Sequence, residues 1–230
     1  MYQALVVDRE GEAFPVKLGP SRGGPPACGG IVCRAFDIVI AVLAIIFLAP
    51  LLLTVALAVK LGDGGPALFG HQRLGLGGRP FRCLKFRSMQ IDADQRLAAV
   101  LASDPFARRE WERDHKLRKD PRITPIGDFL RKSSLDELPQ LFNVLRGEMS
   151  IVGPRPIVAA EVRRYGARYA SYCKVRPGIT GFWQVSGRND TTYRRRVAMD
   201  TVYARNKTFW WDIKIVFLTV PAVVLAKGSY

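Results

Sequence analysis

The stretch IVIAVLAIIFLAPLLLTVALAV (residues 38–59) decides how the rest of this chain folds, because it runs for 22 residues without a charge. A helix of about 20 apolar residues spans the hydrocarbon core of a bilayer. Pro50 lies in the middle of the stretch, where a proline removes a backbone hydrogen bond and kinks a helix. Basic residues flank both ends, Arg34 before and Lys60 after, and such residues favour the cytoplasmic face of a membrane. We therefore predict a proline-kinked re-entrant helix over residues 34–60, with a simple crossing of the bilayer as the alternative.

The charge of the chain indicates its class of partner. Its 230 residues include 35 basic and 20 acidic ones, which gives a formal net charge of +15. A strongly basic surface attracts polyanions, so nucleic acid, anionic lipid and the phosphates of nucleotides or lipids are all candidates. The length is sufficient for one folded domain with a membrane anchor, and we predict that domain over residues 61–230.

Residues 1–33 become rich in glycine and proline after a short apolar patch, so we predict a flexible lead-in rather than part of a core. A cleaved signal peptide fits poorly, because the apolar run after these residues starts too late. The spacing of the cysteines and their distance from the histidines exclude a zinc site and a disulfide framework and indicate reduced thiols. The four cysteines are Cys28, Cys33, Cys83 and Cys173.

A small β-hairpin is predicted over residues 67–89, with its turn at Gly77 and Gly78. The second arm alternates aromatic and basic residues and includes Lys85 and Arg87. Such a strand either presents cations to a phosphate or simply has a solvated basic face, and the pattern leaves both open.

The rest of the chain is predicted to be mainly helical, so the fold class is α+β, predominantly helical and monotopic. Helices are expected on both sides of Asp104-Pro105, over residues 158–172 and over residues 191–207. A last helix over residues 209–227 is predicted to lie in the membrane interface, with core packing as the alternative. Its apolar residues recur every three or four positions: Trp210, Ile213, Phe217, Val220 and Val224.

The segment KSSLDELPQLFNVLRGEMSIVGPRP (residues 132–156) carries the candidate chemistry. Asp136 and Glu137 are adjacent carboxylates in a basic neighbourhood that includes Arg131. A carboxylate that faces fixed cations suits a reaction in which it attacks phosphorus while the cations stabilise charge on oxygen. Arg155 lies between two prolines, which hold the backbone for bidentate binding of a phosphate.

A purely structural interpretation of the same segment is also open. Ser134 followed by Glu137 matches a capping box, and acidic residues are common in the first turn of a helix. Pro139 is tolerated only in that first turn, which places both carboxylates at the N-terminus of a helix. The buried stripe of this helix is predicted from apolar residues at helical spacing. They are Leu138, Leu141, Phe142 and Leu145.

Four long motifs in order give the chain a close resemblance to the bacterial sugar transferases, the small monotopic phosphoglycosyl transferases. The resemblance covers residues 34–230 and leaves residues 1–33 outside. The motifs are RAFD (34–37) with the proline-broken apolar helix, KFRSM (85–89), the segment DPRITPIGDFLRKSSLDELPQLFNVLRGEMSIVGPRP (120–156) and PGITGFWQVSGRN (177–189).

The resemblance implies a sugar-1-phosphate transferase. Such an enzyme takes a UDP-sugar, here UDP-galactose or UDP-glucose, passes sugar-1-phosphate to undecaprenyl phosphate and releases UMP, which initiates assembly of an exopolysaccharide or another glycoconjugate. Asp136 matches the nucleophile that forms a phospho-sugar intermediate, and Glu137 matches an acid that helps to hold Mg²⁺. Arg155 and Arg188 match arginines that bind substrate, and Lys85 matches a basic residue of the site. With them we group Arg87 and Arg131 as candidate phosphate-binding residues.

The expected location is the inner (cytoplasmic) membrane, with the active site facing the cytoplasm and phospholipid and a second copy of the chain as further partners. One alternative keeps the reaction but uses a UDP-N-acetylhexosamine. Another class of function is a membrane-anchored basic protein that binds anionic lipid or RNA. Nucleic acid is not expected, because the chain lacks the aromatic and basic strand motifs that RNA-binding modules use.

Overall fold

The long apolar stretch forms a single helix in the computed structural model of this chain. The α-helices are α1 (Gly30–Asp63), α2 (Ala93–Ser103), α3 (Pro105–Asp114), α4 (Pro125–Lys132), α5 (Gln140–Leu145), α6 (Val162–Tyr165), α7 (Tyr169–Tyr172), α8 (Phe182–Val185), α9 (Tyr193–Asn206) and α10 (Phe209–Val224). The strands are β1 (Gln3–Val7), β2 (Ala13–Lys17), β3 (Leu68–Leu74), β4 (Pro80–Phe86), β5 (Ser150–Val152) and β6 (Gly178–Thr180).

The structure describes residues 3–7, 13–17, 30–114, 117–118, 120–186 and 191–224. Over these residues the fold is mostly helical with three two-stranded sheets, which confirms the predicted α+β class. The chain divides into two compact units. Unit 1 holds residues 1–48, 70–84 and 139–229, and unit 2 holds residues 49–69 and 85–138.

Helix α1 is a 34-residue helix that includes Pro50 and presents apolar side chains to its surroundings. Only 17% of its most apolar 18-residue window is buried against the rest of the protein, and the helix is long and apolar enough to cross a membrane. It begins at Gly30, four residues before the predicted start. The exposed side chains include Ile31, Val39, Leu43, Ile46, Phe47, Leu53 and Leu61.

The prediction of a flexible lead-in over residues 1–33 missed a hairpin. Strands β1 and β2 pair antiparallel, with Gln3 opposite Lys17 and Val7 opposite Ala13. The apolar patch at the start of the chain supplies β1, and the glycine-rich sequence that dominated the composition follows β2.

The hairpin predicted around Gly77 and Gly78 is confirmed by the pairing of β3 with β4. Both glycines have positive φ, +68° and +73°, a conformation that side chains with a Cβ rarely adopt. Burial along β4 alternates at first, with Phe81 and Cys83 buried and Arg82 exposed, as expected of a strand with one face on a core.

The core of unit 1 joins the hairpin, the start of α1 and the C-terminal half of the chain. Strand β5 pairs parallel with β6, and both strands are short and largely buried. Asp37 of α1 is buried, and its Oδ1 accepts hydrogen bonds from Ser150 Oγ at 2.9 Å and Ile151 N at 2.8 Å. The apolar side chains of this core include Ala41, Phe81, Leu141, Val144, Met149, Val152, Tyr203 and Ile215.

Two predictions about helices in unit 1 need correction. On α5 the buried apolar residues are Leu141 and Val144, beside buried Gln140 and Asn143, whereas Phe142 and Leu145 are more than one-third exposed. The helix predicted over residues 158–172 is broken into short turns at Gly166, whose φ is +51°.

Two short helices of unit 2, α3 and α4, have N-termini capped by the side chains of Asp104 and Thr124. The predicted break at Asp104-Pro105 is confirmed, because the Asp104 side chain accepts from Phe106 N at 2.8 Å and starts α3. Arg122 and Asp120 form a buried bidentate ion pair, and the Arg122 guanidinium stacks on the Trp111 ring at 4.9 Å. The Trp111 ring therefore packs on a buried ion pair of unit 2.

Candidate active site

Asp136 and Glu137 lie on one tight turn, a 3-10 helix over Leu135–Glu137 that precedes α5 in sequence. Ser134, just before the turn, has a left-handed backbone with φ +58° and makes no side-chain cap. The capping-box interpretation of these residues is therefore wrong, because the Ser134 hydroxyl does not cap and the Glu137 carboxylate binds a lysine instead. A non-glycine residue at positive φ costs about 1–3 kcal/mol and is typical of functional sites.

Lys85 supplies the cation that holds the two carboxylates. It lies next to last in β4, and its Nζ is 3.2 Å from Asp136 Oδ2 and 2.7 Å from Glu137 Oε1. The Asp136 side chain is only 10% exposed, while that of Glu137 is 35% exposed. One carboxylate is therefore largely desolvated, and its neighbour is open to solvent.

Burial raises the pKa of Asp136 above its ordinary value, and the charge of Glu137 raises it further. Lys85 and Arg131 oppose this rise, because a nearby cation stabilises the ionised carboxylate. Burial also lowers the pKa of Lys85, but the charges of Glu137 and Asp136 and their hydrogen bonds outweigh it, and the net pKa is raised. Lys85 is thus a cation at neutral pH, and Asp136 is a carboxylate whose charge depends on that cation.

Arg131 is held beside this cluster by a hydrogen bond from its Nε to Ser88 Oγ at 2.9 Å. The segment around Ser88 packs tightly on α4: a Cβ added to Gly127 would collide with the Ser88 carbonyl oxygen. The next basic residue, Lys132, instead pairs with Asp128 at 2.6 Å on the exposed face of α4. The structure thus brings Lys85, Asp136 and Glu137 into contact, with Arg131 close enough to affect the charge of Asp136.

Arg87 has a different neighbour. Its Nη2 donates to Asp63, which lies at the C-terminal end of α1. Its Nη1 is buried without a hydrogen-bond partner and lies against Gly65, where a Cβ would collide with it. The partner of Arg87 was not visible in the sequence, because Asp63 lies 24 residues away in another element.

Arg155 belongs to unit 1. It is exposed, whereas the prolines on either side, Pro154 and Pro156, are buried, so the side chain is presented from an anchored loop. Arg73 holds that loop through a hydrogen bond from Nη1 to Pro156 O at 3.2 Å. Burial lowers the pKa of Arg73, and the charge of Arg155 lowers it further. The carboxylate of Glu161, 3.7 Å from Arg73 Nη1, partly balances the two arginines, and Arg73 is the member of the pair that sequence reasoning missed.

Arg188 lies outside the described residues. Within the described ranges no three His, Cys, Asp or Glu side chains gather as a metal site. The two carboxylates of the candidate site still suit Mg²⁺, because this ion commonly binds through one or two carboxylates and completes its coordination with water and substrate phosphates. Glu137, with its partly exposed carboxylate, and Asp136 are the oxygen donors available in this cluster.

Comparison with known proteins places most of the chain in one sequence family. The model of the family described as bacterial sugar transferase matches residues 29–226. The exopolysaccharide production protein ExoY of Sinorhizobium fredii is 52% identical over 202 residues, which cover 88% of this chain and 89% of that protein.

Two longer relatives have names that state a reaction. The undecaprenyl-phosphate galactose phosphotransferase of Salmonella typhimurium is 52% identical over 197 residues, which cover 86% of this chain and 41% of that protein. The UDP-glucose:undecaprenyl-phosphate glucose-1-phosphate transferase of Escherichia coli is 42% identical over 205 residues, again 86% of this chain and 41% of the relative. This chain therefore corresponds to less than half the length of these two relatives.

Proposed function

Since this chain belongs to the bacterial sugar transferase family and is a phosphoglycosyl transferase, we propose that it transfers sugar-1-phosphate from a UDP-sugar to undecaprenyl phosphate and releases UMP. UDP-galactose or UDP-glucose is the proposed donor, because the names of the two longer relatives specify galactose and glucose. The similarity to ExoY supports a role in exopolysaccharide assembly.

One observation carries the mechanism: the nearly buried carboxylate of Asp136 lies 3.2 Å from the ammonium of Lys85. A carboxylate that has lost most of its water reacts more readily, provided that a fixed cation keeps it ionised. The neighbouring Glu137 does not share this burial, so the two acids suit different roles. Asp136 is the proposed nucleophile.

The reaction proceeds in two displacements. An Asp136 oxygen attacks the β-phosphorus of the UDP-sugar, and the bond from that phosphorus to the oxygen bridging to the α-phosphate breaks. UMP leaves with the electron pair, and the enzyme retains an aspartyl phospho-sugar. A phosphate oxygen of undecaprenyl phosphate then attacks the same phosphorus and releases the Asp136 carboxylate. The product is the undecaprenyl diphospho-sugar, and the nucleotide and the lipid need not occupy the site together.

The cations stabilise the charge that moves between oxygens during these steps. Lys85 stabilises the Asp136 carboxylate before attack and when it is released, and Arg131 adds to that field. Arg155, with Arg73 behind it, is proposed to bind a substrate phosphate in bidentate fashion. A bound Mg²⁺, held by Glu137 with or without Asp136, would supply a Lewis acid that neutralises the diphosphate.

The membrane helix is proposed to be re-entrant. Pro50 lacks the amide hydrogen of a regular helix, and the Thr54 hydroxyl donates to Pro50 O at 2.8 Å, a contact that often bends helices. Polar contacts hold both ends of α1: Asp37 binds the start of β5, and Asp63 binds Arg87.

The basic residues that flank the apolar stretch, Arg34 and Lys60, favour the same face of the membrane. The proposed location is therefore the inner membrane, with the active site on the cytoplasmic face at the depth of the lipid phosphate.

Transfer and the covalent adduct test the proposal directly. Purified protein in nanodiscs is given Mg²⁺, undecaprenyl phosphate and a panel of UDP-sugars, and UMP release is measured. Omitting the lipid phosphate should trap a sugar phosphate on Asp136, detectable by mass spectrometry of the peptide that contains it. Asp136→Asn should abolish both signals, whereas Asp128→Asn, an exposed carboxylate on α4, should retain them. UMP release at normal rates by the Asp136→Asn variant would refute the covalent mechanism.

A further inference from the structure

An open cavity of about 610 Å³ lies beside the N-terminal end of α9 in unit 1. Its volume is in the range of about 300–1,000 Å³ that is typical of small-molecule sites. None of its lining residues is among those proposed for catalysis. They are Arg164, Tyr165, Ala167, Arg168, Tyr193, Arg194 and Val197.

Among the residues that the structure describes, the lining is basic and contains no acidic residue. Within the described ranges Arg168 and Arg194 form no ion pair, and Arg164 is held only by stacking on the Tyr193 ring at 4.9 Å. Two carboxylates contact the tyrosines of the lining and are already hydrogen-bonded. Glu161 accepts from Val158 N at 3.0 Å and from the Tyr193 hydroxyl at 3.4 Å, and Asp200 is buried behind Tyr165, whose hydroxyl donates to it at 2.6 Å.

The walls add apolar and aromatic surface to this charge. The Tyr193 ring also contacts the guanidinium of Arg196 at 5.3 Å, and this second contact holds the ring in position. Two other side chains of the lining, Val197 and Tyr165, are buried. Tyr193 is also the first residue of α9, and the free amides of a helix N-terminus favour a negative charge. Three guanidinium groups around an apolar wall suit an anion that carries an organic group, rather than a bare inorganic ion.

We propose that this pocket binds the phosphate of an organic ester through Arg164, Arg168 and Arg194. A phospholipid headgroup and a soluble nucleoside phosphate share this chemistry. The pocket is thus a second anion-binding site of the chain, and its occupation does not require Asp136.

The test compares two double variants that remove the same charge. Arg168→Gln with Arg194→Gln removes two guanidinium groups that line the cavity and form no ion pair in the part of the chain that the structure describes. Arg195→Gln with Arg205→Gln removes two exposed arginines of α9 that do not line it. One arm titrates each protein with UMP and measures stoichiometry and affinity by calorimetry. The other arm counts phosphatidylglycerol molecules retained per chain by native mass spectrometry, after reconstitution in nanodiscs with and without that lipid.

We expect the first double variant to lose one bound phosphate ester per chain, or to bind it on the order of tenfold more weakly, because two charge-assisted hydrogen bonds are lost. A loss in the UMP arm alone identifies a soluble nucleoside phosphate as the ligand, and a loss in the lipid arm alone identifies a headgroup. Equal behaviour of the two double variants in both arms overturns the proposal, because the effect of the arginines would then be only general charge. UMP release by the parent protein is measured separately, so failure of this site and failure of the proposed reaction give different results.

Discussion

Lys85 Nζ donates a hydrogen bond to Asp136 Oδ2 at 3.2 Å, although 51 residues separate the two in sequence. The contact couples a strand end to a single helical turn and sets a buried carboxylate against a partly buried cation. Each partner shifts the pKa of the other towards its charged form, while burial opposes both charges. The reactivity proposed for Asp136 therefore depends on Lys85 as much as on its own position.

The pH dependence of transfer should report this coupling. Asp136 must be ionised to attack, and burial raises its pKa, so kcat/KM should fall as the pH drops through that raised value. In Lys85→Gln the cation that lowers the pKa of Asp136 is lost, so this acid limb should move to higher pH. The raised pKa of Lys85 keeps it protonated at neutral and mildly alkaline pH, and it should add no alkaline limb there.

The control for this profile is Lys132→Gln, which removes a nearby basic residue that pairs with Asp128 instead. Its acid limb should coincide with that of the parent protein. If the acid limb of Lys85→Gln also stays in place, Lys85 does not control the ionisation of Asp136.

The ion pair between Arg87 and Asp63 should stabilise the folded protein. Asp63→Asn leaves a buried guanidinium without its carboxylate, so we expect the free energy of unfolding to fall by about 2 kcal/mol. This loss is smaller than the usual cost of breaking a buried ion pair, because the Asp63 side chain is 23% exposed. Arg87→Gln and the double variant complete a cycle measured by chemical unfolding in detergent. Strictly additive losses would contradict a direct coupling.

The same variants separate two roles of Arg87. Sequence reasoning placed Arg87 among the phosphate-binding residues, and the structure shows it paired with Asp63. A rise in KM for the UDP-sugar in Arg87→Gln but not in Asp63→Asn would support phosphate binding. Equal KM values in the two variants would assign Arg87 to the ion pair alone.

The start of the membrane helix should depend on the buried carboxylate of Asp37. Asp37→Ala leaves Ile151 N and Ser150 Oγ without an acceptor, at an expected cost of about 2–3 kcal/mol, while Asp37→Asn retains an acceptor and should cost about 1 kcal/mol. Thermal unfolding in detergent measures both. Val39→Ala, on an exposed position of the same helix, is the control and should change the midpoint little. An unfolding midpoint of Asp37→Ala equal to that of Val39→Ala would show that the carboxylate does not anchor α1.

Local sequence signals predicted the elements whose structure is decided locally. The glycine pair at residues 77–78 and the alternation after it predicted the hairpin, and Asp104-Pro105 predicted the break between α2 and α3. The errors arose where tertiary contacts decide. Helix α5 has only six residues, so spacing alone could not select the face with Leu141 and Val144 over the one with Phe142 and Leu145.

The candidate site shows the same difference between local sequence signals and long-range contacts. Adjacent carboxylates in a basic segment identified Asp136, and the resemblance to a family supplied Lys85, but no local pattern predicts that the two meet. The pairing of Arg87 with Asp63 and the support of the Arg155 loop by Arg73 are likewise long-range contacts. Gly166 was a local signal that could have been used, because a glycine inside a predicted helix often marks its end.

The two tryptophans at the start of α10 should separate membrane contact from core packing. Trp210 is 76% exposed, whereas Trp211 packs edge-on against Phe182 at 5.5 Å and lies 5.8 Å from the Tyr203 ring. If α10 lies in the membrane interface, Trp210→Ser should remove the largest share of the tryptophan quenching caused by brominated phospholipid, with little change in the unfolding midpoint. Trp211→Ser should instead lower the free energy of unfolding by about 2 kcal/mol, less than a fully buried tryptophan would cost. Quenching that is unchanged in Trp210→Ser would place this face of α10 in water and remove the helix from the membrane interface.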